Sequence, residues 1–113
     1  MNEQAQPKRR GRNIRGKRQI RQPRVWKLFE KKPHAWIQDK LCTNAGWKKV
    51  EPTEKQACYF CVLGAIHHIY RTDTLVDDAM AKLEDKIGDI VAWNDSQDRT
   101  VNDIIKVCKE LDI

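Results

Sequence analysis

The sequence predicts a mainly α-helical protein: a small four-helix domain built around a buried central helix, behind a disordered basic N-terminal arm. Three observations carry this expectation. The ten residues Ala57-Cys58-Tyr59-Phe60-Cys61-Val62-Leu63-Gly64-Ala65-Ile66 contain no charged side chain, and a helix apolar on every side is tolerated in water only where neighbours cover it all round. Apolar residues recur at helical spacing in the flanking stretches. Charge, finally, is sharply divided along the chain. Residues 1–33 hold twelve Lys or Arg against Glu3 and Glu30, a net of +10, whereas residues 34–113 hold ten against fourteen Asp or Glu, a net of −4. A chain of 113 residues is one domain at most, so the division reads as a basic flexible arm over 1–32 and a helical domain over 33–113. A folded part of about 80 residues buries only about 60–65% of its unfolded surface and needs efficient packing, a metal or a partner.

The arm comes first. Pro7, Gly11, Gly16 and Pro23 interrupt a run of Arg and Lys in which Ile14 and Ile20 are the large aliphatics, too little apolar surface to offset the entropy of ordering. In Val25-Trp26-Lys27-Leu28-Phe29, Trp26 and Phe29 fall at i, i+3 as one face of a helical turn. That cluster is expected to pin the arm to the domain, the alternative being an aromatic that stacks on a base.

Pro33 suits the first turn of a helix over 33–45, with Trp36, Ile37, Leu41, Cys42 and Ala45 on its apolar face and Gly46 as its stop. Thr53-Glu54-Lys55-Gln56 reads as a capping box that opens the central helix, which then runs to about residue 71. A third helix begins at Thr74 with an acidic first turn, carries Val76, Ala79, Met80, Leu83 and Ile87, and closes at Gly88. Residues 89–93 are β-branched and then aromatic, so they form either a strand that makes a short two-stranded β pairing with 47–50 or a buried extended link. Asn94-Asp95-Ser96-Gln97-Asp98 is a turn, and Thr100 caps a last helix with Val101, Ile104, Ile105, Cys108 and Leu111 on its apolar face.

Several function classes are disfavoured at this level. The central apolar run falls short of the roughly 20 residues that span a bilayer, so no membrane partner is expected. The N-terminus has no apolar leader, and Cys42, Cys58, Cys61 and Cys108 are not spaced as a dense disulfide framework, which together suggest a soluble protein of a reducing, cytoplasmic compartment. The basic arm suggests a polyanion as partner, because each neutralised phosphate releases condensed counterions. Arg9, Arg10, Arg12, Arg15, Lys17, Arg18, Arg21 and Arg24 would grip the backbone of RNA or DNA, and the excess of Arg suits forked phosphate contacts. The competing reading is a solubilising or targeting tail, including a two-cluster import signal in Lys8-Arg9-Arg10 and Lys17-Arg18.

Three candidate chemistries lie in the domain. Cys58 and Cys61, at i, i+3 of the expected central helix, are candidate zinc ligands with His34, His67, His68, Cys42 or Cys108, but no second close pair of ligands follows them. Packed thiols are the preferred reading, and no cofactor is expected. A Cys61 nucleophile needs a base within about 3 Å, and on a helix His67 and His68 lie about 9 and 10.5 Å further along the axis. Trp93-Asn94-Asp95, with Asp98 and Arg99, offers polar groups against an aromatic wall, and a small-ligand or hydrolytic site would sit there, beside Gly46-Trp47. The alternative is a turn whose side chains bond back to their own backbone, with Arg99 paired to Asp95 or Asp98. Trp47 and Trp93 are also candidates for contact with a partner, since four tryptophans exceed what so small a core requires.

Gly46-Trp47, Cys61-Val62-Leu63-Gly64-Ala65, and Ile90-Val91-Ala92-Trp93-Asn94-Asp95 followed by Arg99-Thr100 together resemble an uncharacterised family of small proteins of bacteria and their phages. The resemblance covers about residues 34–113 and leaves the basic arm outside. It implies a compact, mainly helical domain of phage or prophage origin, with Cys61, Gly64, Ala65, Trp93, Asn94, Asp95, Arg99 and Thr100 at the positions that match; Cys58 and His67-His68 are not part of the pattern. No activity comes with it. The expected function is therefore a non-enzymatic, nucleic-acid-associated protein, and the alternative is a phage or mobile-element accessory protein whose domain binds a host protein or nucleoprotein complex.

Overall fold

The computed structural model describes residues 22–113. The expectations placed on residues 1–21, the disordered arm among them, lie outside those residues. The first helix, α1 (Val25–Lys31), buries Val25 and Phe29 completely. These are i, i+4 partners rather than the expected Trp26 and Phe29; Trp26 is only partly buried, its ring flanked by the ammonium groups of Lys27 and Lys109 at 5.4 and 5.1 Å from the ring centroid. The backbone N–H of Val25 donates to the carbonyl of Ile113, and Arg24 Nε donates to Asp112 Oδ1 at 3.0 Å. The described part of the stretch assigned to the arm, 22–32, thus packs with the domain.

The expected helix over 33–45 is not formed. A 3-10 turn at Pro33–Ala35 is followed by extended chain, because Ile37 N donates to Phe60 O at 3.0 Å instead of to a carbonyl one turn back, and Asp39 adopts a left-handed φ of 69°. The chain then enters β1 (Cys42–Thr43), which pairs antiparallel with β2 (Tyr59–Phe60), Cys42 opposite Phe60 and Thr43 opposite Tyr59. The expected two-stranded pairing therefore exists between other segments. Residues 47–50 contribute a single bridge, Lys49 to Thr43, and residues 89–93 are helical from Ile90 onward.

The central helix is shorter than its apolar run. It comprises α2, Val62–Ile69, and the Thr53-Gln56 capping box is absent: Glu54 instead accepts from Glu51 N at 2.7 Å and from Gln56 Nε2 at 2.9 Å in a turn. The cap is Cys61, whose Sγ accepts from Gly64 N at 3.3 Å and whose N–H donates to Leu41 O at 3.1 Å. Its central position holds, with Val62, Ala65 and Ile66 fully buried and α2 packed against α1, β2, α3 and α4.

The remaining helices follow their caps. Thr72 Oγ1 accepts from Leu75 N at 3.3 Å and opens α3 (Asp73–Ile87), which buries Val76, Ala79 and Leu83 and stops at Gly88, where φ is +80°. Asp89 Oδ1 accepts from Ala92 N at 2.9 Å and opens the short α4 (Ile90–Asn94). Thr100 and Asp103 form a reciprocal capping box at the start of α5 (Val101–Leu111), which buries Ile104 and Cys108. The result is mainly α, as expected, with five helices and one small sheet among the described residues. No helix among them is long and apolar enough to cross a membrane.

Candidate functional site

The Trp93-Asn94-Asp95 turn is at the C-terminal end of α4, and the structure buries Asn94, with 1% exposure. Its amide is fully used. Oδ1 accepts from the Trp36 indole Nε1 at 2.7 Å and from Val62 N, the first residue of α2, at 2.9 Å. Nδ2 donates to Ile37 O at 3.1 Å and to Asp95 Oδ1 at 2.9 Å. Two N–H donors on one side and two oxygen acceptors on the other fix which amide atom is which. Asp95 Oδ1 also accepts from Asp39 N at 3.0 Å, and Gln38 Nε2 donates to the carbonyls of Asn94 and Ser96 at 3.0 and 2.9 Å. Arg99 pairs with neither Asp95 nor Asp98 in this arrangement; its Nε donates to Trp93 O at 2.9 Å, and its guanidinium lies 4.1 Å from the Trp93 ring centroid.

These contacts join α4, the extended 36–39 segment and the start of α2, so the turn works as a three-way tie. The tryptophan beside Asn94 is Trp36, not Trp47. Sequence reasoning places neither Trp36 nor Gln38 in this site; the available signal is that a buried indole N–H needs an acceptor, and Asn94 is a side-chain amide next to another tryptophan.

Trp47 is elsewhere and differently placed. It occupies a tight loop between β1 and Lys49, with φ of +67° and 58% exposure. Its ring lies parallel to that of Tyr59 in β2, at 4° between planes and 4.7 Å between centroids. Asn44 organises the loop: Oδ1 accepts from Gly46 N and Lys48 N at 2.9 and 3.0 Å, and its carbonyl accepts from Trp47 N at 3.0 Å. Tyr59 is hidden at the level of sequence because it sits inside the apolar run that reads as helix.

Of the basic residues assigned to the phosphate grip, Arg9, Arg10, Arg12, Arg15, Lys17, Arg18 and Arg21 lie outside the described residues. Arg24 is described and engaged, both arms of its fork reaching the Asp112 carboxylate at 3.0 and 3.3 Å. That contact draws the Asp112 carboxyl below its ordinary value. Lys31 and Lys32, at the C-terminal end of α1, are exposed.

Cys58 and Cys61 do not share a helix face. Cys61 is the buried cap of α2, while Cys58 is exposed just before β2, and no group of three or more His, Cys, Asp and Glu among the described residues is arranged to hold a metal. Burial raises the thiols of Cys42 to about 11 and Cys108 to about 12, and it raises Cys61 as well, the direction opposite to that of a nucleophile. His68 is tied through Nδ1, which lies 2.7 Å from Pro52 O and donates to it. A thiol reagent at neutral pH is expected to label Cys58 alone in the native protein and all four cysteines after unfolding; a second fast-reacting thiol in the native state would contradict the burial.

A family model described as a family of unknown function (DUF6197) matches residues 32–111. No curated protein matches the chain, and no solved structure does. The Asn94 tie, Gly64 and the Trp47 loop all fall inside the matched stretch, whereas residues 1–31, α1 among them, and Asp112 with Ile113 fall outside it.

Proposed function

The chain belongs to the DUF6197 family of unknown function, and on that premise we propose that it is a non-enzymatic, nucleic-acid-associated protein in which the family domain carries a basic arm. The arm grips the phosphate backbone of RNA or DNA in the cytoplasm with little sequence preference. The observation that carries this reading is the division of charge, +10 over residues 1–33 against −4 over the rest. Two features of the fold support it. α1 anchors the point where the arm joins the domain, through Val25, Phe29 and the Arg24 contact with Asp112, and the exposed Lys31 and Lys32 extend the basic stretch onto the folded surface. The polar atoms of Asn94 are engaged within the fold, which accounts for the turn as structure without a substrate.

The test is a full-length variant with Arg9, Arg10, Arg12, Arg15, Lys17, Arg18 and Arg21 changed to Gln, Arg24 being kept for its place in the fold. Its log-log salt dependence of binding should flatten by about 0.7–0.9 for each phosphate that is no longer neutralised. An unchanged slope would remove the arm as the element that holds the nucleic acid.

A further inference from the structure

Trp47 is a bulky residue held at a positive φ of 67°, a conformation uncommon outside glycine and costly for large side chains. Gly46, its neighbour, would take such a φ freely. The three hydrogen bonds around Asn44 fix the loop in this shape, and the strain is not offset by burial, since 58% of the residue remains exposed. Strain kept in a rigid loop to present a large exposed side chain points to recognition.

We infer that the Trp47–Tyr59 pair is a stacking platform for an unpaired nucleobase, which makes this protein a binder of single-stranded nucleic acid; the inference rests on the nucleic-acid reading above. Tyr59 backs one face of the indole in parallel contact, so the exposed area lies on the other face and the edges. An indole supported from behind offers a flat, pre-oriented surface to a base, and every base has a face to stack on it. The charge fits the same ligand. Lys48 and Lys49 follow Trp47 directly and are exposed, and Tyr59 also lines a cleft of about 190 Å³ that contains Lys32 and His34. Lys32 at the end of α1 thus shares a cleft with the tyrosine of the platform, while Lys48 and Lys49 place positive charge next to its tryptophan in the chain. In a duplex the bases are already stacked and offer no free face, which gives a preference for single strands.

The test uses full-length protein, a labelled mixed-sequence single strand and the corresponding duplex at one salt concentration. Trp47→Ala should weaken single-strand binding on the order of tenfold while leaving duplex affinity unchanged. Trp47→Phe should restore most of the affinity. Trp47→Gly, which accepts the positive φ without strain, should keep the fold by thermal unfolding and still lose the single-strand preference. Equal single-strand affinity in wild type and Trp47→Ala would overturn the platform and leave the arm reading intact. Equal weakening towards both ligands would overturn it as well. If the wild-type protein binds neither ligand, the arm reading fails and the platform fails with it.

Discussion

Replacing Gly64 with alanine is expected to destabilise the domain by about 3 kcal/mol or more, although helix propensity alone predicts a gain of about 1 kcal/mol for the same change. The two effects differ in what the new methyl meets. A Cβ at position 64 would lie 2.1 Å from the carbonyl oxygen of Leu41 and 3.1 Å from its carbonyl carbon. That oxygen cannot turn away, because it accepts from Cys61 N at 3.1 Å and leads directly into β1. Either α2 or β1 must shift, and both are packed in the core. Domains of this size have a total stability of about 5–15 kcal/mol, so the loss should show as a large drop in the denaturation midpoint. A midpoint equal to wild type would show that the strand does not lie against the first turn of α2. Gly88 differs, since nothing stands within 4 Å of its would-be Cβ, and its requirement is the positive φ alone.

Replacing Asn94 with alanine is expected to cost about 3–5 kcal/mol, because each buried donor or acceptor left without a partner costs about 1–3 kcal/mol. Three such groups result: the Trp36 indole N–H, the Val62 N–H and the Ile37 carbonyl. Trp36→Phe removes one donor from the same tie and leaves Asn94 its other three bonds, so it should cost less, about 1 kcal/mol. The double variant should be less destabilised than the sum of the single ones, since the bond between the indole and the amide is broken in both. Additive energies in that cycle would mean that the indole and the amide are not coupled.

What the sequence reveals and conceals follows from the physics of each segment. α3 and α5 are legible because an apolar face at helical spacing coincides with a terminating Gly88 in α3 and a capping Thr100 in α5; the cap of α3, Thr72, lies two residues before the start expected at Thr74. The central helix is legible as buried but not in length. A stretch apolar on every side satisfies a strand as well as a helix, so Tyr59–Phe60 and the Cys61 cap carry no periodic signal of their own. The helix over 33–45 fails because its spacing pattern is local, while the hydrogen bonds of Ile37 and the pairing of Cys42 are made with the distant Phe60. The β-branched pair Ile90-Val91 suggests a strand, yet the Asp89 cap and the burial of Ile90 against the core hold that stretch as helix.

The candidate site divides in the same way. Trp93, Asn94 and Asp95 are visible as an unusual polar cluster, but its use as an internal tie depends on Trp36, Gln38 and Asp39, which lie 58, 56 and 56 residues from their partners along the chain. The pairing of Trp47 with Tyr59 is hidden likewise, because only the sheet register brings the two rings together.

Binding of the full chain to labelled RNA and DNA, as single strands and duplexes over a range of salt, tests the central claim most directly. The account predicts binding at low salt that weakens linearly in log-log form as added salt reduces the gain from counterion release, with single strands held more tightly than duplexes. Absence of binding to all four ligands at low salt would contradict it.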